Sequence, residues 1–113
     1  MLARVNRIVD GEQLRHVSRK GEKFRSPFVM ASRVRTESDS PARFGFIVSK
    51  QVGGAVTRNT VKRRLRALAA HTLSENPVGY DIVVRAQARS SAASFEVLAR
   101  EWEQLVAQLV ESR

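Results

Sequence analysis

The sequence predicts an α+β domain in which one small sheet packs against helices, in the order α-β-β-α-β-α. Three observations predict it. Apolar residues recur at helical spacing in some segments and alternate in others. Breaks rich in Gly, Pro and Ser separate those segments. The chain has 113 residues, 42% of them apolar and 27% charged, which suits a single globular domain over residues 1–113 with its own core.

The first helix is expected over Asp10 to Lys20. Asp10 is placed to cap it, and Gln13 three residues later completes a capping-box pattern. Leu14 and Val17 form a narrow apolar stripe, and Gly21 is a natural stop. Residues 22–26 read as a polar connection. Pro27 to Ser32, "PFVMAS", reads as the first strand. Thr36 to Ala42, "TESDSPA", is rich in turn formers and reads as a hairpin loop. Arg43 to Ser49, "RFGFIVS", is the second strand. Phe44, Phe46 and Val48 share one face and Gly45, Ile47 and Ser49 the other. The bulky set is expected on the core and the mixed set on a partly open face.

Lys50 to Gly54, "KQVGG", is a loop, and a second helix is expected from about Ala55 to Thr72. "SENPVG" breaks it, and Tyr80 to Arg85, "YDIVVR", is the third strand. Ser94 caps a last helix that runs to about Glu111, with Glu96 in the first turn where the helix dipole favours an anion. Phe95, Leu98, Trp102, Leu105, Val106 and Leu109 fall on one face of it. That stripe places Trp102 in the core rather than against a nucleic-acid base.

The balance of charge narrows the partners. Twenty Lys and Arg against eleven Asp and Glu give a net charge of +9, the footprint of a nucleic-acid binder. A membrane surface is the other class of partner for a basic chain. With no cysteine in the sequence, disulfides and Cys-based zinc sites are excluded. His16 and His71 are the only histidines and lie too far apart for ligand spacing. No apolar run is long enough to span a bilayer. The start, MLARVNRIVDGEQ, has no hydrophobic region or small-residue cleavage site of a signal peptide, so a cytoplasmic location is expected.

The charge concentrates in "RNTVKRRLR", Arg58 to Arg66, which holds five cations and no acid. On a helical wheel at about 100° per residue, Arg58, Lys62, Arg66, Asn59 and Arg63 share one stripe. Val61, Leu65 and Leu68 cluster on another, and Arg64 stands apart. Solvated helices ordinarily interleave acids with cations one turn apart, but from Arg43 to Ala70 the sequence has none. Phosphates would remove the self-repulsion of such a stripe and release counterions in doing so. Asn59 has the chemistry to read a base edge in a DNA major groove. A long basic helix after a strand and a Gly-Gly loop instead suits a reader of RNA shape.

Enzyme chemistry finds no support in local motifs. There is no plausible Ser/His/Asp set. "KQVGGAVT" lacks the spacing and terminal Lys-Ser/Thr of a phosphate-binding loop, and Asp10, Asp39 and Asp81 are scattered.

The stretch "FGFIVSKQVGGAVTRNTVKRRLR" resembles the signature of the bacterial ribonuclease P protein component. Ser49-Lys50 ends a strand, Gly53 and Ala55-Val56 follow, and then come Arg58-Asn59, Lys62-Arg63 and Arg66. The resemblance extends to Asn6-Arg7, Phe28-Val29 and Tyr80-Asp81-Ile82-Val83-Val84. It implies the small subunit of a ribonucleoprotein that cuts the 5′ leader from precursor tRNA, with an RNA catalyst that uses Mg²⁺ and no active site in the protein. It also implies a left-handed crossover through the basic helix, against the usual hand, and a protein monomer in the holoenzyme.

By the same resemblance, Lys50, Arg58, Asn59, Lys62, Arg63 and Arg66 would contact the RNA subunit. Arg7, Leu14, Ser18, Val29, Ala31, Ile47 and Ser49 would line a cleft for the single-stranded leader. Family members commonly carry aromatics at the positions of Leu14, Ser18 and Ala31, and often a second Lys at Gln51. This cleft is therefore expected to rely on cations and van der Waals contact rather than on stacking, which is worth about 1–3 kcal/mol per base. Composition alone would equally fit a ribosomal or other structural RNA-binding protein. A DNA-binding regulator lacks its helix-turn-helix here, and a membrane role competes with the sheet for the helix's modest apolar face.

Overall fold

The computed structural model describes residues 2–111; Met1 and residues 112–113 of the expected domain lie outside them. Helix α1 spans Gly11–Lys20, α2 Ala55–Glu75 and α3 Phe95–Glu111. Strands β1 (Glu22–Arg25), β2 (Val29–Arg35), β3 (Arg43–Ile47) and β4 (Tyr80–Ala86) form one sheet in the order β1-β2-β4-β3. The fold is α+β, with the order α-β-β-β-α-β-α. The strand beyond expectation is β1, whose "EKFR" falls in the expected polar connection. Only Phe24 in it is partly buried, so an edge strand with three exposed residues leaves no alternation to read.

The expected hairpin between β2 and β3 does not form. β4 lies between them, antiparallel to β2 and parallel to β3. The Thr36–Ala42 loop is pinned instead by the segment that enters β4. Thr36 N donates to Gly79 O at 3.0 Å, Ala42 N to Pro77 O at 2.9 Å, and Gly79 N to Ser40 O at 2.9 Å. Gly79 has φ +95° there, a conformation that side chains disfavour.

Register sorts the sheet into two faces. Val29, Ala31 and Arg33 stand opposite Ala86, Val84 and Ile82, and Phe44 and Phe46 lie beside Ile82 and Val84. This face carries the main core, closed by Val61, Leu65 and Ala69 of α2 and by Leu98, Trp102, Leu105 and Leu109 of α3. Trp102 is 4% exposed, and its Nε1 donates to Thr72 Oγ1 at 2.8 Å, so the stripe placed it correctly. Ser94 caps α3 as expected, accepting from Val97 N at 3.2 Å.

The opposite face packs on α1. Ile8, Val17 and Val83 are buried there, with Leu14, Val34 and Ile47 against them. Asp10 caps α1 by accepting from Glu12 N. Gln13 does not complete a capping box: its Oε1 accepts from Arg43 Nη1 at 3.2 Å. Gly21 ends α1 with ordinary φ −72°. A Cβ there would stand 2.7 Å from Val17 O and 2.8 Å from Arg33 N and O, so the glycine serves close approach rather than a left-handed turn.

Candidate nucleic-acid interface

The apolar stripe of α2 fixes where its cations point. Val61, Leu65 and Ala69 are buried against the sheet, at about 1.5–3 kcal/mol for fully burying a Val or Leu side chain. Rotation of the helix is thereby set. Arg58 and Lys62 are left half-buried at the rim, and Asn59, Arg63 and Arg66 are exposed. Asn59, Lys62, Arg63 and Arg66 line one groove with Ala67, Leu2 and Arg7. A second concavity joins it, in which Arg7, Lys62 and Arg66 meet Ile8, Leu14, Phe44 and Phe46.

Arg7 thus stands with the helix cations rather than in a separate cleft. The segment before α1 runs along the free edge of β3: Arg7 pairs with Phe44, and Ile8 N donates to Phe44 O at 2.9 Å. That pairing spans more than thirty-five positions, so no local signal announced it.

The ion pairs among the described residues lie elsewhere, at Arg33–Glu22, Arg35–Glu22, Arg43–Asp81 and His71–Glu75. Among the described residues Arg58 Nε is buried without a hydrogen-bond partner. Arg58/Lys62, Lys62/Arg66 and Arg63/Arg66 are like charges three or four residues apart. At roughly 0.2–0.5 kcal/mol each, they cost the helix about 1 kcal/mol. Arg64, expected apart from the stripe, reaches the other way and donates to Ala93 O at 3.1 Å. Lys50 is exposed in the loop that leads into α2.

The expected leader cleft divides. Leu14, Ser18 and Ile47 lie on the α1 side of the sheet, with Leu14 and Ile47 in its apolar cluster. Ser18 O accepts from Lys23 Nζ. Ser49 is exposed just beyond the end of β3. Val29 and Ala31 do not belong with them. They are 0% and 1% exposed, within the core under α2 and α3. Slipping a strand's facing by one residue exchanges its faces, and the residues of β2 that face α1 are Met30, Ser32 and Val34. Arg43 ties this side together by a two-pronged pair with Asp81, Nε to Oδ1 at 3.0 Å and Nη2 to Oδ2 at 2.7 Å. The bonds to Asp81 push the Arg43 pKa above its ordinary value.

The family model for ribonuclease P matches residues 2–110. The ribonuclease P protein component of Clavibacter michiganensis is 39% identical over 110 residues, covering 97% of each chain. That of Kocuria rhizophila is 52% identical over 77 residues, 68% of each chain. Among solved structures, the RNase P protein of Staphylococcus aureus superposes with a TM-score of 0.82 over 92% of this chain and 94% of its own, at 21% identity. That of Thermotoga maritima gives 0.76 over 88% and 93%, also at 21% identity. At that identity the two structures speak for the fold.

Proposed function

The chain belongs to the ribonuclease P protein family, and from that premise we propose that it docks on the ribonuclease P RNA, holds the 5′ leader of precursor tRNA and so promotes endonucleolytic maturation of the tRNA 5′ end. The observation that carries this reading is the groove of Arg7, Asn59, Lys62, Arg63 and Arg66. Its cations converge without a carboxylate in its lining, so each is free to neutralise a phosphate. Counterion release then supplies much of the affinity. Lys50 and the half-buried Arg58 extend the cationic surface toward the start of α2. The rigid seat of α2 on the sheet fixes the spacing of these charges, which suits the regular backbone of an RNA helix.

In this reading the protein contributes positioning, and cleavage belongs to the RNA, which supplies Mg²⁺ chemistry. Among the described residues no group of three or more His, Asp or Glu is gathered to hold a metal. In this proposal the Mg²⁺ belongs to the RNA complex, and no step of the protein is routed through it. One protein copy per holoenzyme, in the cytoplasm, completes the proposal. No helix among the described residues is long and apolar enough to cross a membrane.

Reconstitution tests it. The protein is mixed with bacterial ribonuclease P RNA at low Mg²⁺ and cleavage of a precursor tRNA is followed. Wild type is expected to restore cleavage and Arg58→Ala/Lys62→Ala/Arg66→Ala to fail. A wild-type protein that binds the RNA without promoting cleavage would overturn the assignment.

A further inference from the structure

The edge of β3 that faces away from β4 is only partly covered. The segment before α1 reaches it at Phe44, where Arg7 pairs in parallel and Ile8 N donates to Phe44 O at 2.9 Å. The chain then turns off through Val9 to Asp10, which caps α1. Backbone groups along a strand alternate between its two edges, so the N–H and C=O of Phe46 point the same way as Phe44 O. No segment among the described residues pairs with β3 on that side at Phe46. An N–H beside a C=O on an uncovered edge is a template for further hydrogen bonds.

A pocket of about 220 Å³ lies at this gap, against the ~10–15 Å³ that one water needs. Its walls differ in kind. Ile8, Val9, Leu14 and the half-buried Phe46 make an apolar side, and Arg7, Lys62 and Arg66 make a cationic one. No carboxylate lines it. Phe46 packs on the main core, with its ring 6.4 Å from that of Phe44 and inclined to it by 13°. Phe44 is 1% exposed, so a fixed ring backs the Phe46 ring. Val9, 81% exposed, stands at the mouth.

Phosphates alone would need only the cations. An aromatic ring, an apolar wall and an open backbone edge beside those cations match a whole nucleotide, with its flat base, its hydrogen-bonding edge and its phosphate. Proteins take unstacked RNA bases by these contacts. Arg7, Lys62 and Arg66 also line the longer groove with Asn59 and Arg63, so whatever enters the pocket is continuous with what lies along α2. We propose that the pocket receives one nucleotide turned out of the ribonuclease P RNA. Its base lies against Phe46 and Leu14, its edge meets the Phe46 backbone, and its phosphates rest on Arg7, Lys62 and Arg66. This rests on the reading of α2 as the RNA-docking face and adds a contact that is not ionic. Phosphate contacts set the slope of log affinity against log salt. An inserted base raises affinity at every salt concentration and leaves that slope alone.

The test is equilibrium binding to ribonuclease P RNA over a series of salt concentrations. Precursor tRNA is left out, so that no leader can enter the pocket. Phe46→Ala is expected to weaken binding by about tenfold, within the range for one base stacked on an aromatic ring, at constant slope. Because Phe46 borders the core, a second variant leaves the core intact. The chain has no cysteine, so Val9→Cys offers a single thiol, and alkylating it with a naphthyl group plugs the mouth. Alkylation is expected to lower affinity by about tenfold, with slope and melting temperature unchanged. Base-selective chemical probing of the RNA is expected to show one base that wild type protects and the plugged protein leaves reactive. If alkylation changes neither affinity nor base protection, the pocket is empty in the complex, and the inserted nucleotide is refuted while the proposed function stands. A loss of affinity that comes with a lower slope refutes it too, because phosphate contacts have then been lost instead. If wild type does not bind the RNA, this proposal and the proposed function fall together.

Discussion

Gly45→Ala tests how α1 is held over the sheet. The new Cβ would stand 2.3 Å from Leu14 Cδ2, 3.2 Å from Ile8 Cβ and 3.4 Å from Ile8 O. Comfortable carbon contacts lie at about 3.5–4.0 Å, so Leu14 must give way by more than an ångström. Ile8 cannot yield easily, because its amide is bonded to Phe44 O. Relief comes from expelling Leu14 or tilting α1. Overpacking of this kind costs about 1–3 kcal/mol, and Leu14→Ala alone, at a half-buried site, about 1–2 kcal/mol, below the usual core range. The two costs share a cause. Once Leu14 is trimmed, the alanine at position 45 has room. In urea unfolding of wild type, both single variants and the double, the double is therefore expected to be at least about 1 kcal/mol more stable than the sum predicts. Additivity within about 0.5 kcal/mol would show that Leu14 is not seated on Gly45.

Other expectations follow from the charged groups. Asp81→Asn leaves Arg43, one-third exposed, without its partner; a loss of roughly 1–3 kcal/mol, between surface and fully buried pairs, is read from urea midpoints. The Glu22 carboxyl is held below its ordinary pKa, chiefly by the hydrogen bond from Arg33. The unfolded state then binds protons first as pH falls, so the contribution of Glu22 is full above the ordinary carboxylate range and is lost as pH drops through the lowered value. Stability measured against pH should show a shallower acid limb in Glu22→Gln. Lys62→Ala/Arg66→Ala should weaken binding to ribonuclease P RNA and reduce the slope of log affinity against log salt by about 1–2. An unchanged slope in salt titrations would place the phosphates elsewhere.

The basic helix was legible because its two stripes differ in kind. Valine and leucine recur at one angle, cations at another, and a period of about 3.6 separates them without tertiary information. β2 offered no such contrast. In "VMASRVR" both faces carry apolar and small residues, since α1 covers one and α2 with α3 the other. Alternation therefore could not choose between Val29/Ala31 and Met30/Ser32 for the α1 side. Arg33 misleads further. It is 5% exposed on the core face, where an arginine is rare, and its Nη1 donates to Leu109 O at 2.5 Å. That bond satisfies a carbonyl at the C-terminal end of α3, where a cation is favoured.

The insertion of β4 between β2 and β3 also has a meaning in time. This inner strand is the last strand of the sheet to leave the ribosome. Until residue 86 is made, β2 and β3 have no neighbour in common, and the sheet on which α2 packs is incomplete. The pairing of β4 with β2 and with β3 is long-range, which slows folding through the entropy of loop closure. During that wait α2 is already complete, with its like charges repelling one another and its apolar stripe uncovered. A polyanion that meets the nascent chain then relieves the first problem before the sheet solves the second. For such a chain, assembly with RNA and the act of folding are parts of one process.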